Sequence, residues 1–402
     1  MQRVPALTET KPILETTVLD RPAVPDVLEE HLEETAFLLI RWRKLLFSSE
    51  IPLRRLGAQA ERIEAHLDGL RVGGPASLSI ALAMLDENDP WFVSVAARVW
   101  IELGQPEVQA IHERLAALPP ELFGVWKEAF RQLPASTVQR IFPQQQFESL
   151  PAATLEIAAD AWGWHGLLPF PVASRLAGSP APGVRRAVAR HTAHSGLIRQ
   201  LLDDGDVLVR RMAHWSLALQ NTQAALDRGR QLAAAAEPDP FALRVIGLLG
   251  GRADGPRLLN SLKHKAAAPT ALLALRDLAV PEFAEVLLIG IEGDDADFAA
   301  LAKDVFESLA GRIPKPDPGQ PLPPGLSPAR AHWSQVRKQM DGSKRMLHGQ
   351  AFPWQGPASE EPMQWVWRRV LTSNAPDLAW LRRQVPDGFF NALGAEEAIP
   401  GE

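Results

Sequence analysis

Apolar side chains recur every three or four residues through most of this chain, and the runs are cut at short intervals by Asp, Pro and Gly. That spacing is the signature of amphipathic helices. Leu28, Leu32, Thr35, Leu39, Trp42 and Leu46 mark one helix. Leu56, Ala60, Ile63, Leu67 and Leu70 mark a second, which stops at Gly73-Gly74-Pro75. The same grammar then repeats. Asp89-Pro90 and Asp239-Pro240 open helices with an N-capping carboxylate and a proline at the first helical position, where its missing N–H costs nothing. Asp206 and Asp295 open two more. Val184-Arg185-Arg186-Ala187 and Val209-Arg210-Arg211-Met212-Ala213 share a local pattern 25 residues apart.

No segment alternates apolar and polar residues as a half-buried strand does. Helix pairs repeating at short intervals, each unable to bury its own face, predict a stacked all-α array, an α-solenoid. The predicted organisation is an extended N-terminal arm over 1–26, a helix pair over 27–75, and a repeat array over 76–311. A Pro-rich linker follows over 312–330, with seven prolines between Pro314 and Pro328. A Trp-rich helical module over 331–402 closes the chain, carrying Trp333, Trp354, Trp365, Trp367 and Trp380, with helices predicted near 363–371 and 378–385. About seventy residues are marginal for independent folding, so this module is expected to dock on the array.

The chemistry is bounded by composition. Cysteine is absent, which excludes disulfides, thiolate metal sites and cysteine nucleophiles. The net charge of -6 gives no general attraction to nucleic acid or to anionic membrane. The first residues lack the basic start and apolar core of a signal peptide, so a cytoplasmic location is expected.

Three stretches carry a resemblance. EEHLEETAFLLIRWRKLL, ERIEAHLDGLRVGG and DPWFVSVAARVWIELG, with the tail segment HWSQVRKQMDGSKRMLHGQAF, resemble a family of uncharacterised bacterial HEAT-repeat proteins. EAHLDGLRVGG is the most specific stretch. The resemblance spans nearly the whole chain. It implies HEAT-like helical repeats and a link to type VI secretion gene clusters, and it supplies no catalytic residues.

Candidate binding residues fall in three places. Trp162-Gly163-Trp164-His165, followed by prolines, reads as a rigid aromatic loop; tryptophans of this kind anchor protein interfaces or plug irregular gaps between repeats. Arg185, Arg186, Arg210 and Arg211 lie in a locally basic segment that could face an acidic partner or a phosphate backbone. Their equivalent positions in the repeat favour an ion-pair ladder instead. Trp365 and Trp367, two apart, cannot both face one side of a helix, so one of them is available to the array or to a partner.

Other patterns are weaker. His191-x-x-His194 sets two imidazoles on one helical face but has no third metal ligand nearby. Glu29, Glu30, His31, Glu33 and Glu34 lack the Glu-x-x-His spacing of di-iron bundles and read as a charged solvent face. No Gly-x-Ser-x-Gly, Walker or dinucleotide fingerprint occurs. The reading is therefore a non-catalytic scaffold or adaptor for another protein, needing no cofactor or metal and showing no small-molecule substrate. The alternative is a HEAT-like nucleic-acid binder or DNA glycosylase-type enzyme.

Overall fold

The structure, a computed structural model, describes residues 24–45, 51–315, 322–339, 346–347 and 350–351. These are almost wholly helical and fall into two compact units that divide between Gln220 and Asn221. No helix among them is long and apolar enough to cross a membrane.

The first unit opens with two long helices, α1 (Pro25–Leu45) and α2 (Leu53–Gly73), packed together. α3 (Pro75–Glu87) packs on α4 (Pro90–Gly104). From α4 onward longer and shorter helices alternate: α5 (Val108–Ala116), α6 (Phe123–Gln132), α7 (Ala135–Ile141), α8 (Ala152–Trp164), α9 (Phe170–Leu176), α10 (Pro182–His191), α11 (Ser195–Leu201) and α12 (Val207–Gln220). The even-numbered helices touch one another in succession, α4 on α6, α6 on α8, α8 on α10 and α10 on α12. The short helices lean against them: α5 and α7 on α8, α9 and α11 on α10.

The second unit holds α13 (Thr222–Ala233), α14 (Pro240–Leu249), α15 (Gly255–Ser261), α16 (Ala268–Leu278), α17 (Ala284–Ile291), α18 (Ala296–Ala310) and α19 (Pro328–Val336). Here α14, α16 and α18 pack in sequence. A two-residue antiparallel pair, β1 (Met346–Leu347) and β2 (Gln350–Ala351), follows.

The aspartates act as the sequence predicts. Asp89 Oδ1 accepts from Trp91 N at 2.9 Å, Asp239 Oδ1 from Phe241 N at 2.7 Å, Asp206 Oδ1 from Leu208 N at 2.9 Å and Asp295 Oδ1 from Phe298 N at 3.0 Å. Each satisfies a donor that its helix leaves unpaired. At the end of α4 the left-handed turn falls on Gln105 (φ 41°), one residue beyond Gly104.

Two boundaries differ from the sequence reading. The linker does not reach residue 330, because Ser327 Oγ caps α19 by accepting from Arg330 N at 3.3 Å. Nor does the N-terminal arm reach residue 26, because α1 begins at Pro25. Trp333 packs against the preceding helices, the direction in which the C-terminal module is expected to dock. Its ring lies edge-on to Phe306 of α18 at 6.1 Å, within a core shared with Leu272, Leu287, Val305 and Leu309. Burial against α18 supplies the apolar contact that a short helix after a proline-rich stretch could not supply alone. Residues 1–23 of the predicted 1–26 arm, Trp354, Trp380 and the predicted helices beyond 351 lie outside the described residues.

Candidate functional site

Charged residues four apart lie on one face of a helix. Lys127 and Arg131 do so on α6, and Glu156 and Asp160 on α8. Because α6, α8 and α10 pack in succession, these faces turn toward neighbouring helices rather than toward water. Lys127 Nζ reaches Glu156 Oε1 at 2.5 Å, and Arg186 Nη2 approaches the same oxygen at 3.4 Å. Arg131 donates to Asp160 from Nε at 2.7 Å and from Nη2 at 2.9 Å. His191 Nε2 meets Asp160 Oδ1 at 3.1 Å.

The run continues in the other direction. Glu128 contacts Arg131 at 3.7 Å and Arg43 of α1 at 3.2 Å, and it accepts from Gln132 at 2.9 Å. Gln132 in turn accepts from Arg98 at 3.2 Å. Arg98 pairs with Glu102 at 2.8 Å, and Arg71 of α2 joins Glu102 at 3.3 Å. One connected series of ionic and hydrogen-bonded contacts thus crosses α1, α2, α4, α6, α8 and α10.

Its centre is Asp160. Burial alone would raise this carboxyl, but the Arg131 guanidinium and the His191 N–H outweigh burial and hold it well below the usual carboxylate range. Burial pushes the His191 imidazole down to about 4, against the opposing pull of Asp160. His191 is therefore neutral near pH 7, with the proton on Nε2 facing the carboxylate. The Trp164 ring carries Arg131 at 5.3 Å and Arg190 at 5.8 Å from its centre, both within cation–π range.

This arrangement corrects the reading of the Trp-Gly-Trp string. It is not a loop: α8 runs through Trp164, and both indoles are buried, Trp162 at 5% and Trp164 at 4% exposure. Neither is presented as an accessible anchor. Trp162 packs edge-on to Phe147 at 5.0 Å. Gly163 has a specific role, because a Cβ there would stand 2.5 Å from the His191 ring. The glycine lets α10 bring His191 onto Asp160. His165 Nε2 contacts the Phe130 carbonyl at 3.2 Å.

The arginines divide as follows. Arg185 forms a two-pronged pair with Asp204, Nε and Nη2 each at 2.8 Å, and also donates to the Ser179 carbonyl at 2.8 Å. The hydrogen bond to Asp204 raises its pKa further. Arg186 joins Glu156. Arg210 donates to the carbonyls of Asp204 at 2.7 Å and Gly205 at 3.0 Å, and Arg211 is engaged as well. Trp365 and Trp367 lie outside the described residues.

His191 and His194 do not come together. His191 is committed to Asp160, whereas His194 lies with its ring 4.4 Å from Phe170, on the surface. Among the described residues no three His, Asp or Glu side chains are grouped to hold a metal ion. Each carboxylate of the run is engaged by a cation, most of them from a neighbouring helix.

Sequence reasoning missed Lys127, Arg131, Glu156 and Asp160. A signal was available: both members of the α6 pair find their partner 29 residues later on α8. Comparison with protein-family models, with curated proteins and with solved structures gives no match to this chain.

Proposed function

We propose that the chain is a protein-interaction scaffold or adaptor, built of HEAT-like helix pairs stacked as an α-solenoid. One observation carries the reading: several side-chain pairs that link neighbouring helices recur at offsets of 29 to 33 residues. Arg131 and Asp160 are 29 residues apart, Arg186 and Glu156 are 30, His191 and Asp160 are 31, and Arg244 and Asp277 are 33. Contacts recurring at a similar interval are what a repeat array supplies, and such arrays work by presenting an extended surface to a partner. The resemblance to bacterial HEAT-repeat proteins supports the same reading and suggests an accessory role in a secretion system.

The nucleic-acid alternative draws less support, because Arg185 and Arg186 already hold carboxylates that a phosphate would have to displace. The test is a photo-crosslinking residue placed at exposed Phe170 or Val72 of the full chain in its native cell. The scaffold reading expects one protein captured in near-stoichiometric amount, with the complex surviving high salt. Capture of nucleic acid that is lost as salt rises would overturn it in favour of the alternative.

A further inference from the structure

One contact between α1 and α2 is made by two imidazoles. His31 Nδ1 and His66 Nδ1 stand 2.9 Å apart, with ring centres at 5.1 Å and ring planes at 68°. Each nitrogen lies somewhat less than a ring-bond length from its own ring centre. The centre-to-centre distance therefore leaves almost no bend along the path through the two nitrogens. Their lone-pair directions point at each other, as in an N–H···N hydrogen bond, rather than converging on a third point as metal ligands do. The His31 ring is also wedged on its far side, since a Cβ on Gly69 of α2 would come within 2.7 Å of His31 Nε2.

Counting protons shows what this contact tolerates. With both rings neutral, one Nδ1 carries hydrogen and the other accepts it. A first added proton goes to Nε2 of the donor ring; the contact survives and becomes charge-assisted. A second proton has to occupy the accepting Nδ1. Two N–H groups and two positive charges then face each other, and no hydrogen bond remains.

Around the pair stand Glu30 and Glu34 on α1 and Arg62 on α2, with Arg62 and Glu34 4.0 Å apart. α3 carries charge only at Asp86 and Glu87, in its last turn, and α4 carries only Arg98 and Glu102, both held in the ionic run described above. The two glutamates favour protonation. Burial, the neighbouring His31 and Arg62 oppose it and leave His66 below the ordinary imidazole value.

We propose that His31 and His66 form a one-proton latch between α1 and α2, which holds with neither or one extra proton bound and releases when the second arrives. The latch makes the N-terminal helix pair the part of the first unit that loosens in mild acid. Because α1 also carries Arg43 to Glu128, its release reaches the ionic run.

The test follows the histidine side-chain nitrogens of the full chain by ¹⁵N-selective spectra from about pH 7.5 to about pH 4.5. Amide exchange of α1 and α2, corrected for its intrinsic pH dependence, is measured alongside. The latch expects two of the ten histidines to titrate as a coupled pair in two separated steps. Exchange in α1 and α2 should quicken by about tenfold or more across the second step. His66→Gln removes the titration and should keep those helices protected in acid; His31→Gln reads the same property should the first variant fail to fold. Independent one-step titration of both rings sinks the proposal, and so does acid loosening that is equal in the wild type and in the folded variant.

Discussion

Arg131 grips Asp160 with two parallel hydrogen bonds, Nε to Oδ2 at 2.7 Å and Nη2 to Oδ1 at 2.9 Å, and both side chains are almost wholly removed from solvent. A pair in that position resembles a rivet between α6 and α8. Its removal in halves and its removal as a whole have different costs. Arg131→Ala leaves a buried carboxylate without its main partner and should cost about 3–5 kcal/mol of stability. Arg131→Met combined with Asp160→Leu removes both charges, keeps much of the volume, and should cost clearly less. Urea unfolding of the two proteins measures this directly. A double variant no more stable than the single one would show that the pair matters for packing rather than charge.

Trp162 and Trp164 lie on the same helix as Asp160 and are buried on either side of Gly163. Truncating either indole to alanine opens a large hole in a packed interior and should lower stability by about 3–5 kcal/mol. The Trp164 variant also deprives Arg131 and Arg190 of the aromatic surface between them. Neither indole N–H has an acceptor among the described residues, so the stabilisation comes from the rings and not from hydrogen bonding. Trp162→Phe should therefore retain most of the stability. Thermal unfolding decides; a Trp162→Ala protein that melts like the wild type would contradict the burial seen here.

The helix starts offer a smaller effect. Asp239 Oδ1 accepts from Phe241 N at 2.7 Å and from Ala242 N at 3.3 Å, and Pro240 follows it. Asp239→Ala should cost about 1 kcal/mol, and Asp239→Asn or Asp239→Ser markedly less, because either can still accept the same bonds. Equal losses for all three would mean that the aspartate acts through its charge or its surroundings rather than as a cap.

These cases show why some of the molecule was legible in its sequence and some was not. Asp89, Asp206, Asp239 and Asp295 announce helix starts because capping is local, a matter of two or three consecutive residues. The apolar faces of α1 and α2 are equally local in periodicity. Trp162-Gly163-Trp164 misled because glycine and nearby prolines suggest a loop. The actual reason for Gly163 is His191, 28 positions on, whose ring needs the space a side chain would take. Asp160 was invisible for a related reason. In isolation it is one more helical carboxylate, and its importance comes from Arg131 and His191 arriving from two other helices. Trp333 belongs to a tail expected to dock, but nothing near it in sequence points to Phe306 as its partner. What long-range packing decides, a local pattern cannot announce.

His191 yields a pH dependence whose sign can be fixed. Burial holds its imidazole at about 4 in the folded protein, against 6.5 for the ordinary group. The unfolded chain therefore binds more protons between these values, and protons pull the equilibrium toward unfolding. Stability from this group is complete above the ordinary value and is lost as pH falls from about 6.5 toward 4, with a full span of about 3 kcal/mol. Asp160 does not confuse this window. Its carboxyl is held low in the fold, so its own contribution persists above the ordinary carboxylate value and fails only in stronger acid. His191→Gln fits beside Gly163 without a titrating group and can still donate to Asp160. Unfolding free energies at pH 7.5 and pH 4.5 should fall about 2–3 kcal/mol further for the wild type than for His191→Gln. Equal falls would mean that the imidazole accepts its proton inside the folded protein, with Asp160 rather than burial governing its charge.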